Sequence, residues 1–276
     1  MPTIYDCSAP EGSAAGIQAA REALERGELV VIPTGTVYGI AADAFNAAAV
    51  GRLRDAKGSG RQSPPAVLVA DTVMMNALAV RVPAAVHQLT PRFWPGGLTL
   101  VLQAQPALEW DLGETDGTVA VRMPDDALAL ELLRATGPLA VSSANAAGLP
   151  AAATAAAAAE MLGDAVAVYL DGDATPGDGG GGDDDESEAA ADAVAEHAST
   201  TAPAQTSTIL DATGAAGRGK YRILRHGAVT VEQLRIALGD DSVIDPVAAP
   251  VESSAETIET VSEAPAAAPE GAPAEA

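Results

Sequence analysis

Between residues 171 and 197 the chain carries ten acids and no lysine or arginine. Within that stretch Gly179 to Gly182 run directly into Asp183, Asp184, Asp185 and Glu186, and large apolar side chains are few. Such a segment cannot bury enough surface to offset the entropy lost on ordering it. A second stretch, 236–276, holds nine acids, again with no base, and alternates Ala, Pro and Glu to its end. Together the two stretches set the organisation expected of the chain. One domain over 1–237 is interrupted by a disordered acidic insertion at about 172–205, and a disordered acidic tail follows over 238–276. The acid run lacks the ligand spacing and terminal Glu of a calcium loop, so it reads as solubilising.

The partition changes what the charge implies. The chain as a whole has 15 bases against 38 acids, a net charge of −23. With both acidic stretches set aside, 19 acids face 15 bases and the balance is −4. The bases of the folded part are therefore available to line a site for an anion. The single cysteine, Cys7, excludes an intramolecular disulfide framework and any multi-cysteine metal site. His87, His197 and His226 are scattered, so no histidine metal site is expected. No basic stretch followed by an apolar run opens the sequence, and no run of about 20 apolar residues occurs. A cytoplasmic protein with no membrane span is expected.

Apolar residues make up 48% of the chain but aromatic ones only 3%, so the core must be built from Ala, Val, Leu and Ile. Periodicity and Pro/Gly punctuation place helices over 14–26, 46–56, 83–89, 127–135, 154–162 and 230–237. Thr230 and Gln233 are spaced as a capping box. Short strands are expected over 28–32, 66–70, 98–103, 118–121, 139–142, 165–170, 208–211 and 221–224. Strands and helices interleave without a strict repeat, which predicts an α/β domain with a mixed sheet.

Four polar clusters fall at the ends of these strands, where open α/β sheets collect ligands. In the first, Pro33 to Gly39, two threonines and Tyr38 follow a buried strand, and glycines permit close backbone approach. It lacks the Gly-Lys-Ser/Thr ending of a Walker A loop. Lys57-Gly58-Ser59-Gly60-Arg61 sets two cations in a Gly-rich loop, which suits a phosphate or carboxylate. Alternation along the third puts Thr118, Ala120 and Arg122 on one face, where Arg122 could clamp a carboxylate. Ser142 to Gly148 supplies hydroxyls and the Asn145 amide near a helix start. Ordinary polar turns, a flexible surface loop and a solvated edge arginine fit the same residues. Ser143 lacks the nucleophile elbow and a His–Asp pair, and Trp94 before Pro95-Gly96 reads as a plug at a turn.

In order along the chain, PTGTVYGI, FWPGGLTLVL, TVAVRMP, SSANAAG, STIL and ILRHG resemble the threonylcarbamoyl-AMP synthase family, also called Sua5/YrdC/TsaC. The likeness runs from about residue 14 to 237 apart from the acidic insertion, and it is to the short form without the Sua5 C-terminal domain. The resemblance implies a single YrdC-like domain, a twisted mixed sheet with helices around a concave basic cavity. It implies synthesis of threonylcarbamoyl-adenylate from L-threonine, bicarbonate and ATP, with pyrophosphate release, for N6-threonylcarbamoyladenosine at position 37 of tRNA. A separate transferase complex would carry the group to tRNA. By the same resemblance Thr34, Arg122, Ser143 and Ser207 would hold threonine. Lys57, Thr118, Asn145 and Arg225 would hold ATP, with Lys57 and Arg61 catalytic at the phosphates and Tyr38 shaping the pocket. Magnesium would ride on the phosphates, with no metal held by the protein.

Three departures stand out. Ser59 occupies the Arg position of the family's Lys-x-Arg, with Arg61 as its expected replacement. Gly35 replaces the acid of PTET, and Leu68 stands where some members carry His. One alternative reading is a non-catalytic RNA-binding or ribosome-maturation paralogue of the same fold. Another is a carbamoyl-transfer module like that of hydrogenase maturation proteins, whose acylphosphatase and zinc-finger regions this sequence lacks.

Overall fold

The computed structural model describes residues 2–172, 206–214 and 220–245. Among the described residues eleven strands form one mixed sheet. In chain order they are β1 (Thr3–Asp6), β2 (Val30–Ile32), β3 (Gly39–Asp43), β4 (Ala66–Leu68), β5 (Leu98–Gln103), β6 (Thr118–Arg122), β7 (Leu139–Ser143), β8 (Val168–Asp171), β9 (Thr208–Asp211), β10 (Tyr221–Arg225) and β11 (Val243–Ile244). Across the sheet they lie in the order β1-β8-β2-β3-β7-β4-β6-β5-β9-β10-β11. Parallel pairs (β1 with β8, β4 with β6, β5 with β9) and antiparallel ones (β3 with β7, β5 with β6) occur together, as the irregular interleaving of the sequence implied.

Among the described residues the helices are α1 (Pro10–Glu25), α2 (Ala47–Lys57), α3 (Thr72–Leu78), α4 (Ala84–Phe93), α5 (Ala127–Thr136), α6 (Ala155–Leu162) and α7 (Val231–Leu238). Their starts follow side-chain chemistry. Asn46, Asp71, Asp126 and Thr154 each accept a hydrogen bond from a first-turn backbone N–H, and Thr230 with Gln233 closes the expected capping box. Helix α1 begins at Pro10, four residues before the expected start, because proline at the first turn forgoes only an N–H that has no helical partner.

Three apolar clusters make the core. One face of β2, β3, β7 and β8 packs α1 and α5 through Ile17, Leu24, Ile32, Leu132 and Leu170. The opposite face packs α2 and α6 through Val31, Ile40, Leu53 and Tyr169. Farther along the sheet, Val67, Leu98, Leu100, Val119, Val121 and Leu210 bury one face of β4, β5, β6 and β9 under Met75, Leu89 and Leu234 of α3, α4 and α7. Strand alternation then turns Ala66, Leu68, Thr99, Ala120, Arg122 and Ile209 to the other face, which lines a cavity.

Elements β1, β3, α3 and β11 were not expected from the sequence. Strand β3 is all Gly, Ala, Ile and Asp, buried on both faces, so it shows no alternation. Strand β11 is two residues long and pairs in parallel with β10, while Asp245 Oδ1 meets His226 Nε2 at 2.9 Å. The described residues therefore continue to Asp245, past the expected domain boundary at 237. Asp171 likewise belongs to β8, opposite Asp6 of β1. The expected disordered insertion, His197 within it, and the tail beyond 245 lie outside the described residues. Trp94 does plug its turn: it is 7% exposed and its Nε1 donates to the Leu98 carbonyl at 2.7 Å.

Leu100 is wholly buried at the centre of β5. Leu100→Ala is expected to lower the free energy of unfolding by about 2–5 kcal/mol, through lost burial and the cavity left behind. Urea denaturation of the full chain measures it.

Candidate active site

The cavity has a volume of about 280 Å³, near the lower end of the ~300–1,000 Å³ of small-ligand sites. It lies where the β2–β3 connection, β4, β5, β6, β7 and the start of β9 converge. Its polar wall includes Thr34, Thr36, Thr99, Arg122, Ser142, Ser143, Ser207 and Arg225. Among the described residues no Asp or Glu lines it.

Arg122, at the end of β6, is only 6% exposed. Its Nε donates to the Gly96 carbonyl at 2.8 Å, Nη1 to Thr36 Oγ1 at 2.9 Å, and Nη2 to the Thr34 carbonyl at 2.7 Å. All three acceptors are neutral. Burial, with the Arg225 charge added, pulls the guanidinium down to about 10, and Asp125 offsets part of that. Arg122 is thus still cationic at neutral pH, and two of its five N–H donors are unspent. Arg225, at the end of β10, donates to the Ser207 carbonyl at 2.8 Å and to Ser207 Oγ at 3.0 Å. Burial lowers its pKa as well. Two mutually repelling arginines in one cavity without a carboxylate favour an anionic ligand.

The hydroxyls are held in defined directions. Thr34 Oγ1 donates to the Val37 carbonyl at 2.6 Å and lies 3.2 Å from Thr36 Oγ1. Ser143 Oγ donates to Asn145 Oδ1 at 2.5 Å. Lys57 Nζ, at the end of α2, donates to both the carbonyl and Oδ1 of Asn145 at 2.6 Å each. Burial lowers its pKa. Lys57, Asn145 and Ser143 therefore form one cluster, although Lys57 and Asn145 do not themselves line the cavity. Tyr38 is fully buried and lines the cavity wall, and its OH donates to Asp171 Oδ1 at 3.3 Å and to the Gly172 carbonyl at 3.1 Å. Thr118 shares the face of Ala120 and Arg122 but donates to the Thr115 carbonyl at 2.7 Å and lies outside the cavity lining.

Arg61 is not placed as expected. Its guanidinium makes a two-point contact with the Asp111 carboxylate, both distances 2.8 Å, on the surface, and it does not line the cavity. The cause is the loop. Gly58 ends α2 in the left-handed conformation, and the Arg61 carbonyl accepts from the Glu114 N–H at 2.8 Å, which turns Arg61 toward residues 111–114. Ser59, at the Arg position of the family pattern, is the residue of this loop that does line the cavity. Sequence reasoning passed over Thr99 and Asp111. Thr99 had a signal, a hydroxyl on one face of an otherwise apolar strand, whereas nothing local marks Asp111.

Gly35 has a structural reason. Its φ is +75°, and a Cβ there would stand 2.3 Å from the Asp125 carbonyl oxygen. The β2–β3 connection can therefore pass Asp125 closely only with glycine.

Paired arginines and oriented hydroxyls, with no Asp or Glu among the described lining residues, give the cavity a chemistry that suits an oxyanion. The family model for Sua5, YciO and YrdC proteins, described as telomere recombination, matches residues 22–180. The chain belongs to the Sua5/YciO/YrdC family. A Mycobacterium tuberculosis protein provisionally named a threonylcarbamoyl-AMP synthase is 43% identical over 242 residues, covering 88% of this chain and 98% of that protein. The threonylcarbamoyl-AMP synthase of Bacillus subtilis is 40% identical over 161 residues, covering 58% of this chain and 46% of that one. The structure of Pyrococcus abyssi Sua5 complexed with L-threonine superposes with a TM-score of 0.70 at 27% identity, over 88% of this chain and 62% of that one.

Gly35→Ala is expected to destabilise the protein by about 1–3 kcal/mol, from the forced left-handed conformation and the clash with Asp125. A lowered midpoint in thermal denaturation measures it.

Proposed function

We propose that this protein is a threonylcarbamoyl-AMP synthase, joining L-threonine, bicarbonate and ATP into threonylcarbamoyl-adenylate with release of pyrophosphate. The observation that carries the proposal is the carboxylate-free cavity in which Arg122 and Arg225 face the hydroxyls of Thr34, Ser143 and Ser207. Every reactant is an anion or carries a carboxylate, and such a site holds them without a competing acid. The relatives named as synthases, and the P. abyssi Sua5 structure with L-threonine, support the same reading.

The chemistry needs no covalent enzyme intermediate. The threonine nitrogen attacks the carbon of bicarbonate, with loss of water, to give a carbamate. A carbamate oxygen then attacks the α-phosphorus of ATP, the bond to the β-phosphate oxygen breaks, and pyrophosphate leaves. Catalysis rests on placing the reactants together and neutralising their charge. Arg122 pairs with the threonine carboxylate through its two unspent N–H groups, beside Thr34, Ser143 and Ser207. Arg225, Lys57, Asn145 and Thr118 serve the nucleotide, with Lys57 exchanging its Asn145 contacts for phosphate oxygens. Arg61, tied to Asp111, acts through the loop that carries Ser59. A magnesium ion would be carried on the phosphates of ATP, the usual placement for that cation.

The product is the donor for threonylcarbamoylation of tRNA at adenosine 37, passed to a separate transferase complex in the cytoplasm. No helix among the described residues is long and apolar enough to cross a membrane. The RNA-binding alternative is not favoured, because a small cavity with directed hydroxyls suits a metabolite better than a phosphodiester chain.

Pyrophosphate release from ATP and bicarbonate should depend on added L-threonine, with the adenylate recovered as product. Folded protein that releases none would refute the synthase reading. Arg122→Ala should raise the threonine KM by about 10- to 100-fold, the worth of a charged hydrogen-bonded contact. An unchanged threonine KM would remove Arg122 from that role.

A further inference from the structure

Ser207 stands at the entry to β9, 7% exposed, with its hydroxyl on the cavity wall. Its Oγ accepts from Thr99 Oγ1 at 2.8 Å and from Arg225 Nη2 at 3.0 Å. A hydroxyl has one proton and two lone pairs. With both lone pairs engaged by protein donors, the Ser207 proton is left for a partner in the cavity. Ser207 can then only donate to a ligand. Ser143 has the opposite polarity, because its proton is committed to Asn145 Oδ1 and it offers the cavity lone pairs alone. Thr34 is like Ser143, its proton being committed to the Val37 carbonyl.

Thr99 is what makes the difference at Ser207. It is 1% exposed, and Ser207 Oγ is the acceptor of its hydroxyl. Its neighbours Leu98 and Leu100 are locked in the core on the opposite face, so the side chain is held in place from both sides along β5. We infer that Thr99 is a positioning residue that orients the Ser207 hydroxyl as a donor, so that this wall of the cavity selects an oxyanion of the amino-acid substrate. The inference deepens the synthase reading and rests on it for the identity of that oxyanion. Remove the Thr99 hydroxyl and Ser207 regains a free lone pair. Its proton can then rotate away, and the cavity can present a lone pair to the carboxylate instead.

The test is Thr99→Val, which keeps the shape of the side chain and removes the donor. In the full-length protein it should raise the threonine KM by about 3- to 10-fold, the worth of one neutral hydrogen bond, with the ATP KM within about twofold. Thr99→Ser should restore the threonine KM. Because Thr99 acts through Ser207, Thr99→Val added to Ser207→Ala should raise the KM no further than Ser207→Ala alone. If the valine variant does not fold, Thr99→Ala must show the same selective shift. An unchanged threonine KM in active protein, or an equal shift in both backgrounds, overturns the inference and leaves the function standing. Wild-type protein that neither turns over nor binds L-threonine in calorimetry overturns both.

Discussion

A guanidinium buried against three neutral oxygens holds this structure's site together. Arg122 reaches the Gly96 carbonyl before β5, Thr36 Oγ1 and the Thr34 carbonyl between β2 and β3, all from the end of β6. A buried cation is costly unless its donors are satisfied, so these segments must stay where the donors can reach them. Its three hydrogen-bond acceptors are neutral, and Asp125 acts on it only through space, so its charge is available to a ligand. The same contact that ties three segments together thus leaves the cavity in need of an anion.

The sheet divides its labour by alternation. Along β4, β5, β6 and β9 one set of side chains builds an apolar core with α3, α4 and α7, and the set between them lines the cavity. A rigid floor follows where a cavity residue lies between two buried neighbours in its strand. Thr99 between Leu98 and Leu100, and Ala120 between Val119 and Val121, are the clearest cases. Polar groups so placed can keep a fixed hydrogen-bond direction, which loops at the rim cannot impose alone.

The two cationic candidates of the 57–61 loop part company for a physical reason. Lys57 ends a helix and turns inward to Asn145, where burial weakens its hold on the proton. Arg61 follows Gly60 and finds a carboxylate at the surface. An exposed ion pair is worth little to stability, but it settles which way the side chain faces.

Much of this was legible in the sequence. The apolar strand runs, the Pro and Gly stops, the capping box at Thr230 and the shared face of Ala120 and Arg122 all follow from local periodicity. Setting the two acidic stretches aside leaves the remaining bases nearly balanced, which is a matter of composition alone. What local pattern does not carry is contact between distant residues. Strand β3 has no alternation to read because both its faces are covered, and β11 exists only because β10 is beside it. Thr99 and Ser207 are 108 residues apart, Lys57 and Asn145 are 88, and Arg122 and Thr36 are 86. The sequence by itself determined which residues could bind an anion and which face of each regular strand they share, because side-chain chemistry and a two-residue period are local. Only the tertiary structure decided that Arg61 turns to Asp111, that Gly35 must pass Asp125 without a side chain, and which hydroxyls donate. Each of those outcomes is fixed by a partner brought in from elsewhere in the chain.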